Sequence, residues 1–212
     1  MKIVKGPSGF GDAIYTRVII EWLLKNRPDN YKVYTTYPDV FADLSIETED
    51  FTKRRDIDYH LTYIERKTEA TTQFQDMLIK GNLPLIPLNS QLKNRNPSNI
   101  TVVHLPYNPM GNCSNSLPMK PNFPEFINFT NQFDNIKYIA KQYPFRELID
   151  IYNSANLVIG QVGWSLPLAE MLDVPIISIL THRALNSSNT FISAIKPHKL
   201  ITKSTTQIKI ME

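Results

Sequence analysis

The chain has 212 residues and a net charge of +3, with 42% of its residues apolar and 20% charged. This composition is that of an ordinary globular protein with one large domain or two small ones. No run of about 18 apolar residues is present, so we expect no transmembrane helix, and the N-terminus has no signal-peptide pattern. The mildly basic balance permits an anionic ligand or nucleic acid without requiring either.

Cysteine and histidine are sparse and scattered. The single cysteine, Cys113, excludes an internal disulfide and a metal site built from several cysteines, and it suits a reducing, cytoplasmic setting. The histidines show neither HxxxH nor HxH spacing: His60, His104, His182 and His198. The sequence therefore predicts no metal centre.

The first predicted unit is a strand, a glycine-rich turn and a helix. Residues 2–4 form a short apolar strand, and residues 13–26 repeat apolar side chains at helical spacing. The turn between them contains Gly6, Gly9 and Gly11. Such a turn lets the backbone approach a ligand closely, and a helix N-terminus favours a phosphate or a reacting sugar. Asp12 then has two interpretations, an N-cap of the helix or an acidic group that faces the ligand.

The rest of the first half also alternates predicted strands and helices. Residues 31–36 are aromatic and β-branched and predict a second strand, parallel to the first. The further predicted elements are a short helix over 38–44, a strand over 60–64, a helix over 71–80 and an irregular strand over 83–88. On the first helix we expect Arg17 to be exposed and Glu21 to pair with Lys25.

A polar, turn-forming stretch over 89–99 predicts a linker, and a second series of elements follows it. The series comprises a strand over 100–105, a long loop over 106–124, a helix over 123–133, a strand over 136–140, a helix over 144–154, a strand over 157–159, a helix over 165–172 and a strand over 175–180. The apolar runs of the last two strands suit a parallel sheet covered on both faces. A second glycine turn, 160–163, follows a strand as the first one does.

The two series predict an α/β protein with two small Rossmann-like lobes and a cleft between them. We expect an N-terminal lobe over residues 1–95 and a C-terminal lobe over 99–195. The tail, 196–212, can cross back to the N-terminal lobe. Ligands of such sheets bind at the carboxyl ends of the strands, where both glycine turns lie.

Five segments, in a fixed order, carry a resemblance to a known family. They are GFGDAIYTR (9–17), YKVYTTYPDVFADL (31–44), VVHLPYNPMGN (102–112), MKPNFPEF (119–126) and FRELIDIYNSANLVIGQVGWSLPLAEMLDVPIISI (145–179). Together they resemble the heptosyltransferase-like glycosyltransferases, which begin with a Gly-Asp turn and bind the donor nucleotide in the last segment. The chain departs from that family in being shorter and at three positions. Gln161 and Val162 stand where an Asp and a Ser or Thr are usual, and Leu166 or Pro167 stands where the family has a His.

The resemblance implies a GT-B architecture and an enzyme of hexosyl- or heptosyltransferase type. It implies that a nucleotide-diphosphate sugar is the co-substrate, with no bound cofactor and no catalytic metal. In this family pattern Asp12 is the general base on the acceptor side, and Lys120 neutralises the leaving diphosphate. Backbone N–H groups at the start of helix 165–172 can add to that neutralisation.

The resemblance also suggests which residues contact the substrates. The donor is expected to meet Asn112, Lys120, Gln161, Gly163, Trp164, Ser165 and Glu170, and the phosphate or acceptor loop contains Gly9 and Gly11. Plain structural roles stay open beside these: solvated loop residues for Asn112 and Lys120, core packing for Trp164 and an exposed helix position for Glu170.

The acceptor is open between two classes. A surface glycan or lipopolysaccharide core is the family default. The short length, the basic balance and the Asn-, Lys- and Ile-rich composition are typical of virus-encoded proteins and suggest a hydroxymethylated base in phage DNA instead. The departures from the family pattern leave a third possibility, a catalytically inactive nucleotide- or sugar-binding module.

Overall fold

The computed structural model of this protein describes residues 1–50, 56–62, 72–104, 130–139, 143–161, 163–181, 199–204 and 207–211. The predicted loop 106–124, with Asn112 and Lys120, lies outside these residues, as does most of the predicted helix 123–133.

The first lobe is built on a parallel sheet with the strand order β3-β2-β1-β4. Its elements are β1 (Lys2–Lys5), α1 (Phe10–Asn26), β2 (Tyr31–Tyr34), a 3₁₀-helix (Pro38–Phe41), β3 (Glu47–Glu49), β4 (Tyr59–His60) and α2 (Gln73–Lys80). Val4 in β1 pairs with Val33 in β2 and with Tyr59 in β4. Val4 and Val33 are fully buried, as expected in a parallel sheet that is covered on both faces.

The first lobe differs from the sequence expectation in two strands. β3 was not predicted, because its three residues are all exposed and carry no apolar pattern; parallel pairing with β2 alone defines it. The predicted strand over 83–88 is wrong, since the structure has no strand there. Pro84 and Pro87 cannot donate to a ladder, which accounts for the irregular path of that segment.

The second lobe contains a six-stranded sheet with the order β10-β9-β8-β7-β5-β6. Its elements are β5 (Thr101–His104), β6 (Ile136–Ile139), α3 (Phe145–Ser154), β7 (Leu157–Gln161), α4 (Ser165–Met171), β8 (Ile176–Thr181), β9 (Lys199–Ser204) and β10 (Gln207–Met211). All neighbouring strands are parallel except β9 and β10, which form an antiparallel pair.

The tail strands belong to the second sheet, not to the first lobe to which the sequence allowed them to return. β9 pairs in parallel with β8 over five residues, and β10 follows it as the edge strand. The physical reason is that β8 would otherwise present an unpaired edge, which a further strand satisfies with backbone hydrogen bonds.

The two lobes share one hydrophobic cluster of buried residues, which runs from Val4 in the first sheet to Ile176 in the second. The segment 89–99, predicted as a linker, contains no helix or strand and is bonded to the second lobe. There the Arg95 guanidinium donates to the Tyr152 and Asn153 carbonyls, at 2.9 and 3.2 Å, and the Asn94 N–H donates to the Asn153 side chain. The structure therefore has two α/β lobes with parallel sheets, as the sequence predicts.

Candidate active site

The first glycine turn is packed tightly against the helix that follows it. A Cβ atom on Gly6 would lie 2.2 Å from the hydroxyl oxygen of Thr16. That hydroxyl donates to the Asp12 carbonyl at 2.8 Å, so Thr16 is held in place by its own helix. Gly6 is therefore required by close approach, and the turn is fixed against the first two turns of α1.

Asp12 lies at the third position of α1, and its carboxylate reaches back over the turn. α1 begins at Phe10 rather than near residue 13, because Gly9 has the extended backbone of an N-cap. Asp12 is therefore not the N-cap itself. Its Oδ2 accepts the Gly9 N–H at 3.0 Å, which satisfies one of the donors that a helix start leaves without a partner.

The Asp12 carboxyl has an unusual proton affinity. Burial raises the pKa of Asp12 from 3.8 to about 6, and the hydrogen bond from Gly9 opposes this shift only in part. A carboxyl with this pKa is largely ionised at neutral pH and is a stronger base than an exposed aspartate. The helix-start role and a proton-accepting role are thus compatible in the same side chain.

The two glycine turns lie against each other where the lobes meet. The Phe10 ring contacts the Trp164 ring edge to face, with 5.1 Å between centroids. A Cβ atom on Gly11 would lie 3.4 Å from both the Trp164 Cα and the Pro167 Cγ. The start of α1 and the start of α4 are therefore adjacent, so the carboxyl ends of β1 and β7 face a common region.

A second carboxylate, Glu170, reaches the same face of α1. Tyr15 is buried one turn beyond Asp12, and burial raises the pKa of its phenol, with smaller contributions from the negative charges of Glu170 and Asp12. The Tyr15 ring packs on Phe74 of α2, with 5.6 Å between centroids. Asp12, Tyr15 and Glu170 are therefore electrostatic neighbours. No sequence motif singled out Tyr15, which lies within the predicted helix 13–26 as one of its apolar-spaced residues.

The other predicted donor residues in the described ranges lie between the end of β7 and the start of α4, and they differ in exposure. Gly163 is exposed and Ser165 is buried. Trp164 is half-buried against Phe10, an arrangement that serves packing between the lobes. Gln161 is the last residue of β7, at the carboxyl end of that strand.

The expectation that Arg17 is exposed is wrong, since the side chain is 1% exposed. Its guanidinium donates to the Glu21 carboxylate at 2.8 Å and to both carboxylate oxygens of Asp43, at 2.6 and 2.9 Å. Glu21 in turn accepts from the Ser90 hydroxyl and the Gln91 N–H, so it does not pair with Lys25 as predicted. The i,i+4 spacing of Arg17 and Glu21 was the available signal for this network.

The same network touches the second lobe. The Arg17 guanidinium lies 5.8 Å from the centre of the Phe145 ring, and the Phe145 N–H donates to the Asp39 carboxylate at 2.7 Å. Arg146 lies 3.8 Å from Asp43, and Arg17 holds the pKa of the Asp43 carboxyl below its usual value. The helix that carries Asp12 is thereby fixed to both lobes.

The described residues contain neither a candidate metal cluster nor a membrane-spanning helix. No group of three or more His, Cys, Asp and Glu side chains in the described ranges could hold a metal ion. In the same part of the chain, no helix has the length and apolar character needed to cross a membrane.

Neither a protein-family model nor a curated protein sequence matches the chain. The known proteins that it resembles are similar in structure. The bacterial iron-containing dodecameric glycosyltransferase TibC from enterotoxigenic E. coli has a TM-score of 0.58 at 11% identity. The dodecameric iron-containing heptosyltransferase TibC in complex with ADP-D-β-D-heptose has a TM-score of 0.57 at 11% identity. In both comparisons 84% of this chain and 57% of that chain are covered.

The chain thus spans little more than half the length of these two structures. Likeness at this level of identity shows the fold. Together with the two parallel sheets, it confirms the predicted fold class, a GT-B-like α/β protein with two small Rossmann-like lobes.

Proposed function

We propose that this chain is a glycosyltransferase that moves a hexosyl or heptosyl group from a nucleotide-diphosphate sugar to an acceptor hydroxyl, with Asp12 as general base. The observation that carries the proposal is the Asp12 carboxyl at the start of α1. Its pKa is about 6, and it lies where the two lobes of a GT-B-like fold meet. A base with a pKa close to the working pH is the most effective one for proton transfer.

The proposed reaction needs one proton transfer and one displaced group. The acceptor oxygen forms a bond to the anomeric carbon while the bond from that carbon to the diphosphate oxygen breaks. The acceptor proton passes to the ionised Asp12 carboxylate, and the nucleoside diphosphate leaves with the electron pair. Because a hydroxyl is a poor nucleophile, a carboxylate within hydrogen-bond reach assists as the new bond forms.

The leaving diphosphate must meet positive charge or oriented dipoles. The sequence resemblance assigns this task to Lys120, with backbone N–H groups of Gly163, Trp164 and Ser165, and assigns further donor contacts to Asn112 and Gln161. We propose transfer without a catalytic metal and without a resident cofactor. A chelator such as EDTA should then leave turnover unchanged, and a loss that added metal restores would contradict this part of the proposal.

The acceptor is proposed as a glycan, with a hydroxymethylated base in phage DNA as the other class. The two acceptor classes differ in how strongly their binding affinity depends on salt concentration. Binding to duplex DNA releases counterions, so its affinity should fall steeply as salt rises. Retention on a duplex-DNA column that does not weaken with salt would count against the DNA acceptor.

The alternative function is a nucleotide- or sugar-binding module of the same fold without transfer activity. Two observations favour it: Gln161 replaces the usual Asp, and Trp164 packs on Phe10. Such a module would bind nucleotide but show no turnover that an Asp12 variant could remove.

A thermal-shift screen tests the proposal. UDP, ADP, GDP and CMP, each with its sugar conjugates, are added to the purified chain. A ligand at about 100 times its dissociation constant should stabilise the fold by roughly 2.7 kcal/mol, which a melting curve readily detects. A clear shift with one group of nucleotides would identify the donor, and no shift with any of them would contradict both the transferase and the nucleotide-binding module.

A further inference from the structure

A cavity of about 190 Å³ lies on the side of α1 that carries Tyr15. We call it the interlobe pocket. Its polar lining comes from Tyr15 of α1, Thr72 and Gln75 at the start of α2, and Glu170 of α4, and its apolar wall comes from Phe74 and residues 86–88. Residues from both lobes therefore form it.

The polar groups of the interlobe pocket include both hydrogen-bond donors and hydrogen-bond acceptors. The Gln75 amide oxygen accepts the Thr72 N–H at 2.9 Å, and the Thr72 hydroxyl oxygen accepts the Gln75 N–H at 3.1 Å. This reciprocal cap uses the acceptor atoms of both side chains. The amide NH₂ of Gln75 and the hydroxyl proton of Thr72 are the donors that they can still present, whereas the Glu170 carboxylate contributes acceptors.

This combination suits hydroxyl groups, because each hydroxyl both donates and accepts. An apolar wall opposite such groups suits the C–H face of a saturated ring. The described lining contains no Lys, Arg or His, and Glu170 contributes a negative charge. Within the described lining, a phosphate would meet the like charge of Glu170 and no cation, which disfavours the diphosphate of a donor.

The interlobe pocket is also close to the candidate base. Tyr15 follows Asp12 by three residues, so the two side chains lie on one face of α1. The charges of Asp12 and Glu170 both act on the Tyr15 phenol, which requires the three groups to be near one another. The pocket therefore begins one helical turn after Asp12 along α1.

We propose that the interlobe pocket binds an uncharged, hydroxyl-rich ring of the acceptor, with Glu170 and Gln75 as its hydrogen-bonding residues. Naming that ring as the acceptor rests on the proposed function, but the ring-binding site does not. The inference assigns Glu170 to the acceptor side, whereas the sequence resemblance suggested it as one of the donor contacts.

Saturation-transfer NMR tests the inference with defined probes, namely the methyl α-pyranosides of glucose, mannose and galactose, with glucose 6-phosphate as the anionic comparison. Probe concentrations up to about 10 mM detect even millimolar dissociation constants. We expect transfer to at least one neutral glycoside and less transfer to glucose 6-phosphate. No transfer to any neutral glycoside, or stronger transfer to the phosphate, would overturn the proposal.

Two variants and a matched control locate the binding. Glu170→Gln keeps the shape and removes the charge, and should weaken binding about tenfold, the loss expected for a hydrogen bond to a charged acceptor. Leu88→Trp fills the cavity and should abolish the signal. Glu147→Gln, on the exposed face of α3, should leave it unchanged. Circular dichroism checks that each variant folds, and unchanged transfer in a folded variant of either pocket residue would refute the site.

The nucleotide screen separates this inference from the proposed function. Glycoside binding without any nucleotide shift would retain the interlobe pocket and refute the transferase. A nucleotide shift without glycoside binding would retain the transferase proposal and refute the pocket.

Discussion

Replacement of Arg17 by Met tests whether the buried ion-pair network stabilises the contact between the lobes. Arg17 is 1% exposed, and its partner Glu21 is 5% exposed. Removing one partner of a buried pair costs about 3–5 kcal/mol, because the remaining charge is left in a poorly solvating site. Glu21 keeps its hydrogen bonds from Ser90 and Gln91, at 2.7 and 2.9 Å. We therefore expect the lower end of that range, about 3 kcal/mol.

Urea denaturation followed by tryptophan fluorescence and circular dichroism measures the loss. For a chain of this length, 3 kcal/mol corresponds to a fall in Tm of roughly 6–12 °C. Lys25→Met is the matched control, since Lys25 is an exposed cation on the same helix and should change stability by less than about 0.5 kcal/mol. The double variant Arg17→Met/Glu21→Leu should recover part of the loss, because no uncompensated charge then stays buried.

The reasoning would be refuted if Arg17→Met unfolded at the same urea concentration as Lys25→Met. It would also be refuted if the double variant were as unstable as the sum of the two single variants, because this would show no energetic coupling between Arg17 and Glu21.

Three further predictions concern the glycine turn and Asp12. Gly9→Ala would place a Cβ 2.6 Å from the Asp12 Oδ2 and displace that oxygen. Circular dichroism should show a folded variant, but its turnover should be lost. Full turnover would show that the position of this oxygen is unimportant. Gly6→Ala should lower Tm, because its Cβ would lie 2.2 Å from the Thr16 hydroxyl, and adding Thr16→Ala should restore part of the loss; equal melting of the single and double variants would contradict the clash. Because the pKa of Asp12 rises from 3.8 to about 6 on folding, the native state binds this proton more tightly, and its contribution to stability falls as pH rises between these values. The Tm of Asp12→Asn relative to the unsubstituted protein should therefore increase from pH 4 to pH 7, and a difference that is independent of pH would show that the pKa is not raised.

The sequence predicts a helix or strand correctly where its apolar residues repeat with the period of the secondary structure that the backbone adopts. The run over 157–159 and the periodic residues of α1 predict their elements, because buried parallel strands and amphipathic helices need those patterns. β3 could not be predicted in this way, since Glu47–Glu49 is exposed and depends on its neighbour for pairing. The path of the tail likewise depends on the free edge of β8, which a local pattern does not encode.

Only the sequence-local part of the candidate site could be proposed from the sequence. A glycine turn that ends in an acidic residue pointed to Asp12, and the raised pKa of Asp12 arises from burial, which requires the folded chain. Arg17 reads as an exposed helix residue because its partner Asp43 lies 26 residues away. The contact between Phe10 and Trp164 joins the two lobes. No local sequence pattern predicts it, because the two residues are far apart in the chain.

Turnover of a nucleotide sugar by Asp12→Asn tests the central claim most directly, with the donor taken from the nucleotide screen. The amide can still accept the Gly9 N–H but cannot take the acceptor proton at neutral pH. We predict that turnover falls by a factor of about 10²–10⁴, the usual contribution of a general base, while the affinity for the nucleoside diphosphate stays the same. Turnover within a few-fold of the unsubstituted protein would contradict the assignment of Asp12 as the base.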